Sequence, residues 1–170
     1  MAQDITSIID GIRRSVETVG RSGREEVSLD NVSFRVDVAT FEAPHGTSLA
    51  KARQHAPKLF SPEPLEAYNH ELGQLFICEA ELPYCVVAMQ MLPTDHRGPQ
   101  RFTDMTVTVS TSDVVNDLAQ DILTCVTALR LMCEEVGTSP GRVTFNIAYA
   151  YVLWEDVELL VDPEEIEIPR

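Results

Sequence analysis

The chain is expected to fold as an α+β domain, with a mixed or antiparallel sheet packed against a long central helix over about residues 113–137. Three observations carry that expectation. Val115, Leu118, Ile122, Cys125, Val126, Leu129, Met132, Cys133 and Val136 recur at steps of three and four, the period of an α-helix. The segments on either side, 106–110 and 143–154, read as strands. A length of 170 residues with 44% hydrophobic composition, 8 Gly and 10 Pro describes one ordinary globular domain with a sizeable core, residues 1–170 as a single unit.

In chain order, Ile5, Ile8, Ile9, Ile12, Val16 and Val19 repeat with helical spacing after Asp4, which predicts an amphipathic helix over the first twenty residues. Gly20-Arg21-Ser22-Gly23-Arg24 breaks it. Val27 and Leu29, then Val32, Phe34, Val36 and Val38, alternate on either side of Asp30-Asn31, a pair suited to a tight turn. That pattern predicts a two-stranded hairpin. Residues 42–64 dissolve into Pro, His, Gly and Ser, with one short helix predicted around 48–54, and 64–72 fits a helical turn or two. Residues 75–81 and 84–92 read as strands divided at Pro83. Val86, Val87, Ala88, Met89 and Met91 make the second near-continuously apolar, as in a sheet covered on both faces.

After a polar loop at 93–101, the strand 106–110 runs into Ser112-Asp113, residue types that cap helices. Ala119, Leu123, Ala128 and Leu131 widen the helical stripe, so the helix is expected to be enclosed on most sides. Gly137 and Pro140 stop it, because Gly takes the left-handed conformation without a Cβ clash and Pro cannot continue the ladder. Residues 155–170 form an acidic tail ending in Pro-Glu-Glu-Ile-Glu-Ile-Pro-Arg.

The net charge of −14 would repel a phosphate backbone and an anionic lipid surface, which argues against nucleic acid and membrane as partners. No apolar run approaches the roughly 18 residues of a membrane span, and the start carries no basic leader. The expected location is cytoplasmic. Four cysteines without CxxC spacing read as reduced thiols. His45, His55, His70 and His96 lie far apart in polar contexts and indicate no metal site.

Several short motifs fall in a recognisable order. Pro83-Tyr84-Cys85 is followed five residues later by Gln90; Ser110-Thr111-Ser112-Asp113 is followed eight residues later by Asp121; then come Ala128-Leu129, Glu134-Glu135-Val136-Gly137, Pro140-Gly141 and Ala148-Tyr149-Ala150-Tyr151. Arg21-Ser22-Gly23 precedes them all. In these motifs the chain resembles the thymidylate synthases and the pyrimidine-nucleotide hydroxymethylases, weakly over 5–36 and better over 83–158. The resemblance implies that fold, a homodimer paired through the face of the sheet, and methylenetetrahydrofolate as cofactor if the protein is active. It makes Cys85 the nucleophile and places Arg21, Gln90, Ser110, Asp113, Asp121 and Tyr151 around the nucleotide. The chain also departs from the family. Ser110 stands where the family has an Arg that binds the phosphate and lowers the pKa of the thiol. Tyr151 and Leu153 replace the His and Tyr that hold the ribose, and the Glu and Trp of the central segment are missing.

Each candidate has a plain alternative. Cys85 is either a nucleophile that adds to C6 of a pyrimidine or a small buried hydrophobe at the start of a core strand. Asp121 either reads the base edge, where a carboxylate suits the amino group of cytosine, or lies on an exposed strip with Asp113 and Asp117. Asp113 reads as a helix N-cap, Arg21 as a phosphate ligand or a solvated loop residue, Gln90 as a ligand contact or a tie to backbone. Cys125 and Cys133 read as packing residues. Two functions remain: a divergent relative with weak or no activity that binds a nucleotide or a partner, or an active C5 methyl- or hydroxymethyltransferase favouring deoxycytidylate over deoxyuridylate.

Overall fold

The computed structural model describes residues 26–60, 74–77, 85–94 and 101–156. Five strands, β1 (Glu26–Asp37), β2 (Gln74–Ile77), β3 (Val86–Thr94), β4 (Phe102–Asp113) and β5 (Ser139–Leu153), form one sheet in the order β1-β5-β4-β3-β2. Among these described strands, β4 and β5 pair in parallel and the other neighbours antiparallel. A parallel pair cannot be joined by a tight turn and needs a crossover. Helix α2 (Leu118–Val136) is that crossover, while a shorter helix, α1 (Leu49–His55), continues into a 3-10 turn at Ala56–Phe60.

The inner face of the sheet carries Val32 and Phe34, Val143, Phe145 and Ile147, Met105, Val107 and Val109, and Met89 and Met91, all in one apolar core with the side chains of α2. Phe34 stacks on Phe145, ring centroids 4.9 Å apart. Along α2 every residue from Asp121 to Leu129 is buried, so a single apolar stripe does not describe it: β4 and β5 cover one side, α1 and the 3-10 turn another. The hydroxyls of Thr124 and Thr127 remain satisfied there by donating to the carbonyls of Gln120 and Leu123. Gly137, at φ 70°, ends the helix in the left-handed conformation as the sequence predicts.

Three expectations are corrected. The helix begins at Leu118, not near 113, because β4 runs on through Asp113 and residues 114–117 form a turn. The hairpin at Asp30-Asn31 does not exist: β1 is one strand paired with β5 in one register on both sides of Asn31, which takes a left-handed φ of 55° within it. Asn tolerates that conformation better than most residues, so a turn-like pair serves here as a kink. Strand β3 is not covered on both faces. Val86, Met89 and Met91 are buried whereas Val87, Gln90 and Leu92 are exposed, the phase being set by a bulge between Val86 and Ala88. The short helix around 48–54 is present, with the Ser48 hydroxyl capping the Lys51 amide at 3.2 Å. The helices predicted at 1–20 and 64–72 and nearly all of the acidic tail lie outside the described residues.

The outer face is polar and organised in transverse rows. Arg35, Thr144, Thr106 and Gln90 face one another in register across four strands, as do Ser33, Asn146, Thr108 and Ala88. Ser33 donates to Asn146 at 2.9 Å, and Arg142 lies 3.9 Å from Asp37. Near one end of the sheet, Asp104 accepts the Arg142 backbone amide at 2.7 Å where β4 and β5 shift register, and a Cβ on Gly141 would collide with that carboxylate. Glycine is required there by space, not by backbone angle.

Candidate functional site

At the opposite end the strands change phase along a common line. Pairing lapses at Asn31 opposite Ala148 and at Ala148 opposite Ser110, and the β3 bulge lies beside Ser110. On β5 the buried residues are Val143, Phe145 and Ile147 before that line and Ala150 and Val152 after it. On β4 Val109 gives way to Ser112 in the same manner. An irregularity shared by adjacent strands turns side chains of several elements toward one place, a recurrent arrangement beside binding sites.

Cys85, just before β3, sits on this line. The backbone amide of Ser110 donates to the Cys85 carbonyl at 2.8 Å, the Ser110 hydroxyl reinforces it at 3.2 Å, and the Thr111 hydroxyl donates to Cys85 Sγ at 3.1 Å. The expectation of a buried thiol is corrected: Cys85 is exposed, because the chain reaches it ahead of the covered part of the strand. Cys125 and Cys133 are buried as expected. Burial pushes the Cys133 thiol up, against the opposing hydrogen bonds of Thr138 and Thr103.

Asp113 is buried, but it does not cap α2. Its carboxylate accepts the amides of Val115 and Asn116 at 3.0 and 3.1 Å and the Asn116 side chain at 3.0 Å, which holds the turn leading to the helix. The Asn116 amide also reaches Asp156 at 3.0 Å. The residue at the N-cap is Asp117, whose side chain makes no capping bond. The exposed strip of Asp113, Asp117 and Asp121 is corrected accordingly, since Asp117 alone of the three is exposed.

Asp121 is 8% exposed in the first turn of α2. Burial pushes its carboxyl up to about 7; the neighbouring Asp117 carboxylate adds to the rise and Lys51 of α1 opposes it. Helix α1 is held over this turn by the Gln120 side chain, which accepts the Ser48 amide at 2.8 Å and donates to the Ser48 carbonyl at 3.3 Å. Neither Lys51 nor Gln120 is singled out by the sequence, because their roles depend on a contact 72 residues apart.

Tyr149 and Tyr151 lie opposite Thr111 and Asp113 on β5, with ring centroids 6.1 Å apart, so Tyr151 shares the strand ends with Ser110 and Asp113. Ser112, between them, is buried with a hydroxyl that finds no partner among the described residues. Gln90 is not part of this cluster. It pairs with Thr106, four positions along β4 from Ser110, roughly 13 Å away at the rise of a strand. Arg21 lies outside the described residues, as do His70 and His96. Among the described residues no cluster of His, Cys, Asp or Glu could hold a metal ion, and no helix is long and apolar enough to cross a membrane.

This mixed sheet, with its parallel pair bridged by one enclosed helix, is similar in fold to a solved thymidylate synthase. The thymidylate synthase from T4 phage superposes on the chain with a TM-score of 0.65 at 16% identity, over 99% of this chain and 83% of that one. At that identity the likeness shows the fold alone. No family model and no curated protein matches the sequence.

Proposed function

We propose that this chain is a divergent thymidylate-synthase-like protein that binds a pyrimidine nucleotide at the Cys85–Ser110–Asp113 end of the sheet and has lost C5-transfer chemistry. The observation that carries the reading is the surrounding of Cys85. Addition to C6 of a pyrimidine requires a thiolate, and a cation beside the sulfur is what favours that form. Here the group on Sγ is the neutral Thr111 hydroxyl, and the position that the resemblance gives to an Arg is Ser110, occupied in bonding the Cys85 carbonyl. Retained binding is supported by the buried Ser112 hydroxyl without a partner among the described residues, a group that a ligand could satisfy. The residues that the resemblance would require for methylenetetrahydrofolate are missing.

A homodimer belongs to the same proposal, formed through the outer face of the sheet. The rows of Ser, Thr, Asn and Gln make such an interface a polar one. Sedimentation at micromolar concentration is expected to give twice 18.9 kDa; a monomer at all concentrations refutes the pairing.

One observation favours the active alternative. A buried carboxyl titrating near neutrality is the kind of perturbed group that concentrates at functional sites. Protonated, Asp121 would offer one donor and one acceptor, matching N3 and the amino group of cytosine.

Thermal shift across nucleotides tests the binding. A ligand at 100 times its dissociation constant adds about 2.7 kcal/mol, which at this chain length raises Tm by roughly 5–10 °C. Deoxycytidylate or deoxyuridylate is expected to give that rise and adenylate none. A flat response to every pyrimidine nucleotide refutes the proposal.

A further inference from the structure

Helix α1 and its 3-10 extension reverse the charge of the rest of the molecule. Residues 43–62 hold no Asp or Glu, where 27 acidic residues in 170 would place about three, yet they contain Lys51, Arg53 and Lys58 together with His45 and His55. The inner side of this segment is uncharged: Ala52, Ala56 and Leu59 are buried against the core. Lys51, Arg53 and Lys58 are exposed. Lys51, His55 and Lys58 stand at steps of four and three, which puts them on one stripe. The positive field is felt within the stripe itself, since His55 is held below its ordinary pKa by desolvation, then by Lys58 and by Lys51. Among the described residues no carboxylate forms an ion pair with Lys51, Arg53 or Lys58.

We propose that this stripe is a docking surface for an acidic protein segment. Its length, one α-helical turn plus one 3-10 turn, is about 12 Å from Lys51 to Lys58. Two carboxylates four residues apart on an extended chain are separated by about 13 Å, so such a segment can meet both lysines while passing His55. The charge of the whole molecule selects for a short partner. With a screening length of about 8 Å at physiological salt, a brief acidic segment responds to the stripe beneath it. A long nucleic acid would run on over a surface that carries the remainder of a −14 net charge. The inference does not rest on nucleotide binding; Lys51 does act on Asp121, so the Lys58 variant is the one that separates the two readings.

The test is fluorescence anisotropy with a labelled octa-aspartate peptide at low ionic strength. The full chain is expected to bind it, and Lys51→Gln with Lys58→Gln to weaken binding about tenfold, since each exposed pair contributes only a few-fold. Lys58→Gln alone, away from Asp121, gives a smaller loss of about threefold and serves if the double variant melts early. Arg35→Gln with Arg142→Gln removes the same charge from the outer face of the sheet and is expected to leave binding within about twofold. The proposal is overturned if the peptide does not bind, if both double variants weaken it equally, or if an oligothymidylate of similar length binds as tightly.

Discussion

Asp121 gives the sharpest stability test. A carboxyl moved from 3.8 to about 7 holds its proton more tightly in the folded chain than in the unfolded one. Stability linked to it is therefore greatest at low pH, falls as pH rises from about 4 to about 7, and is level above that. Each power of ten in proton affinity corresponds to about 1.4 kcal/mol. Between pH 8 and pH 5 the wild type recovers about two of them, at most about 3 kcal/mol, or about 1–2 with partial solvation of the site. Asp121→Asn removes the titration but keeps the shape. Urea denaturation of the two proteins at pH 5 and pH 8, compared as differences, cancels the other acidic groups. The variant is expected to gain on the wild type by about 1–3 kcal/mol between pH 5 and pH 8. A difference independent of pH would show that Asp121 titrates in the ordinary carboxylate range and that the burial argument is wrong.

Three further outcomes follow from the packing. Leu129→Ala, at a fully buried site on α2, is expected to lower the urea-unfolding free energy by about 2–5 kcal/mol. Gln120→Ala removes both bonds to Ser48 and should cost about 1–2 kcal/mol, with amide-exchange protection lost first in residues 49–60. Gly141→Ala forces the Asp104 carboxylate from the Arg142 amide and should cost about 1–3 kcal/mol; combined with Asp104→Ala it should cost less than the sum of the two, read by thermal melting.

The sequence carries period better than it carries position. The spacing of Ile122, Val126 and Leu129 reveals α2, but Ser112-Asp113 looks like its cap only because β-strand residues and helix caps share the same small polar types. Asp113 in fact caps the turn before the helix, which moves Asp113 off the helix entirely and leaves Asp121 buried rather than on an exposed strip. Asp30-Asn31 carries a turn signal that local chemistry cannot separate from a kink, since the choice is made by eleven paired residues on β5. The alternation in β3 is hidden by one extra residue at the bulge, which makes a half-exposed strand look apolar throughout. At the site, the order of motifs is enough to associate Cys85 with Ser110. The bond from Thr111 to the sulfur, the exposure of the thiol and the clasp of Gln120 on Ser48 arise from contacts distant in sequence, and no local pattern records them.

The central claim is that Cys85 occupies a thymidylate-synthase-like frame without acting as its nucleophile. Release of tritium from C5 of deoxycytidylate and deoxyuridylate, with methylenetetrahydrofolate supplied, measures the addition step directly. Release is expected to stay at the level of the no-protein control and to be unaffected by Cys85→Ser, an exposed substitution that should change stability by less than about 0.5 kcal/mol. Release above that control, abolished in folded Cys85→Ser, would contradict the claim and establish the thiol as catalytic.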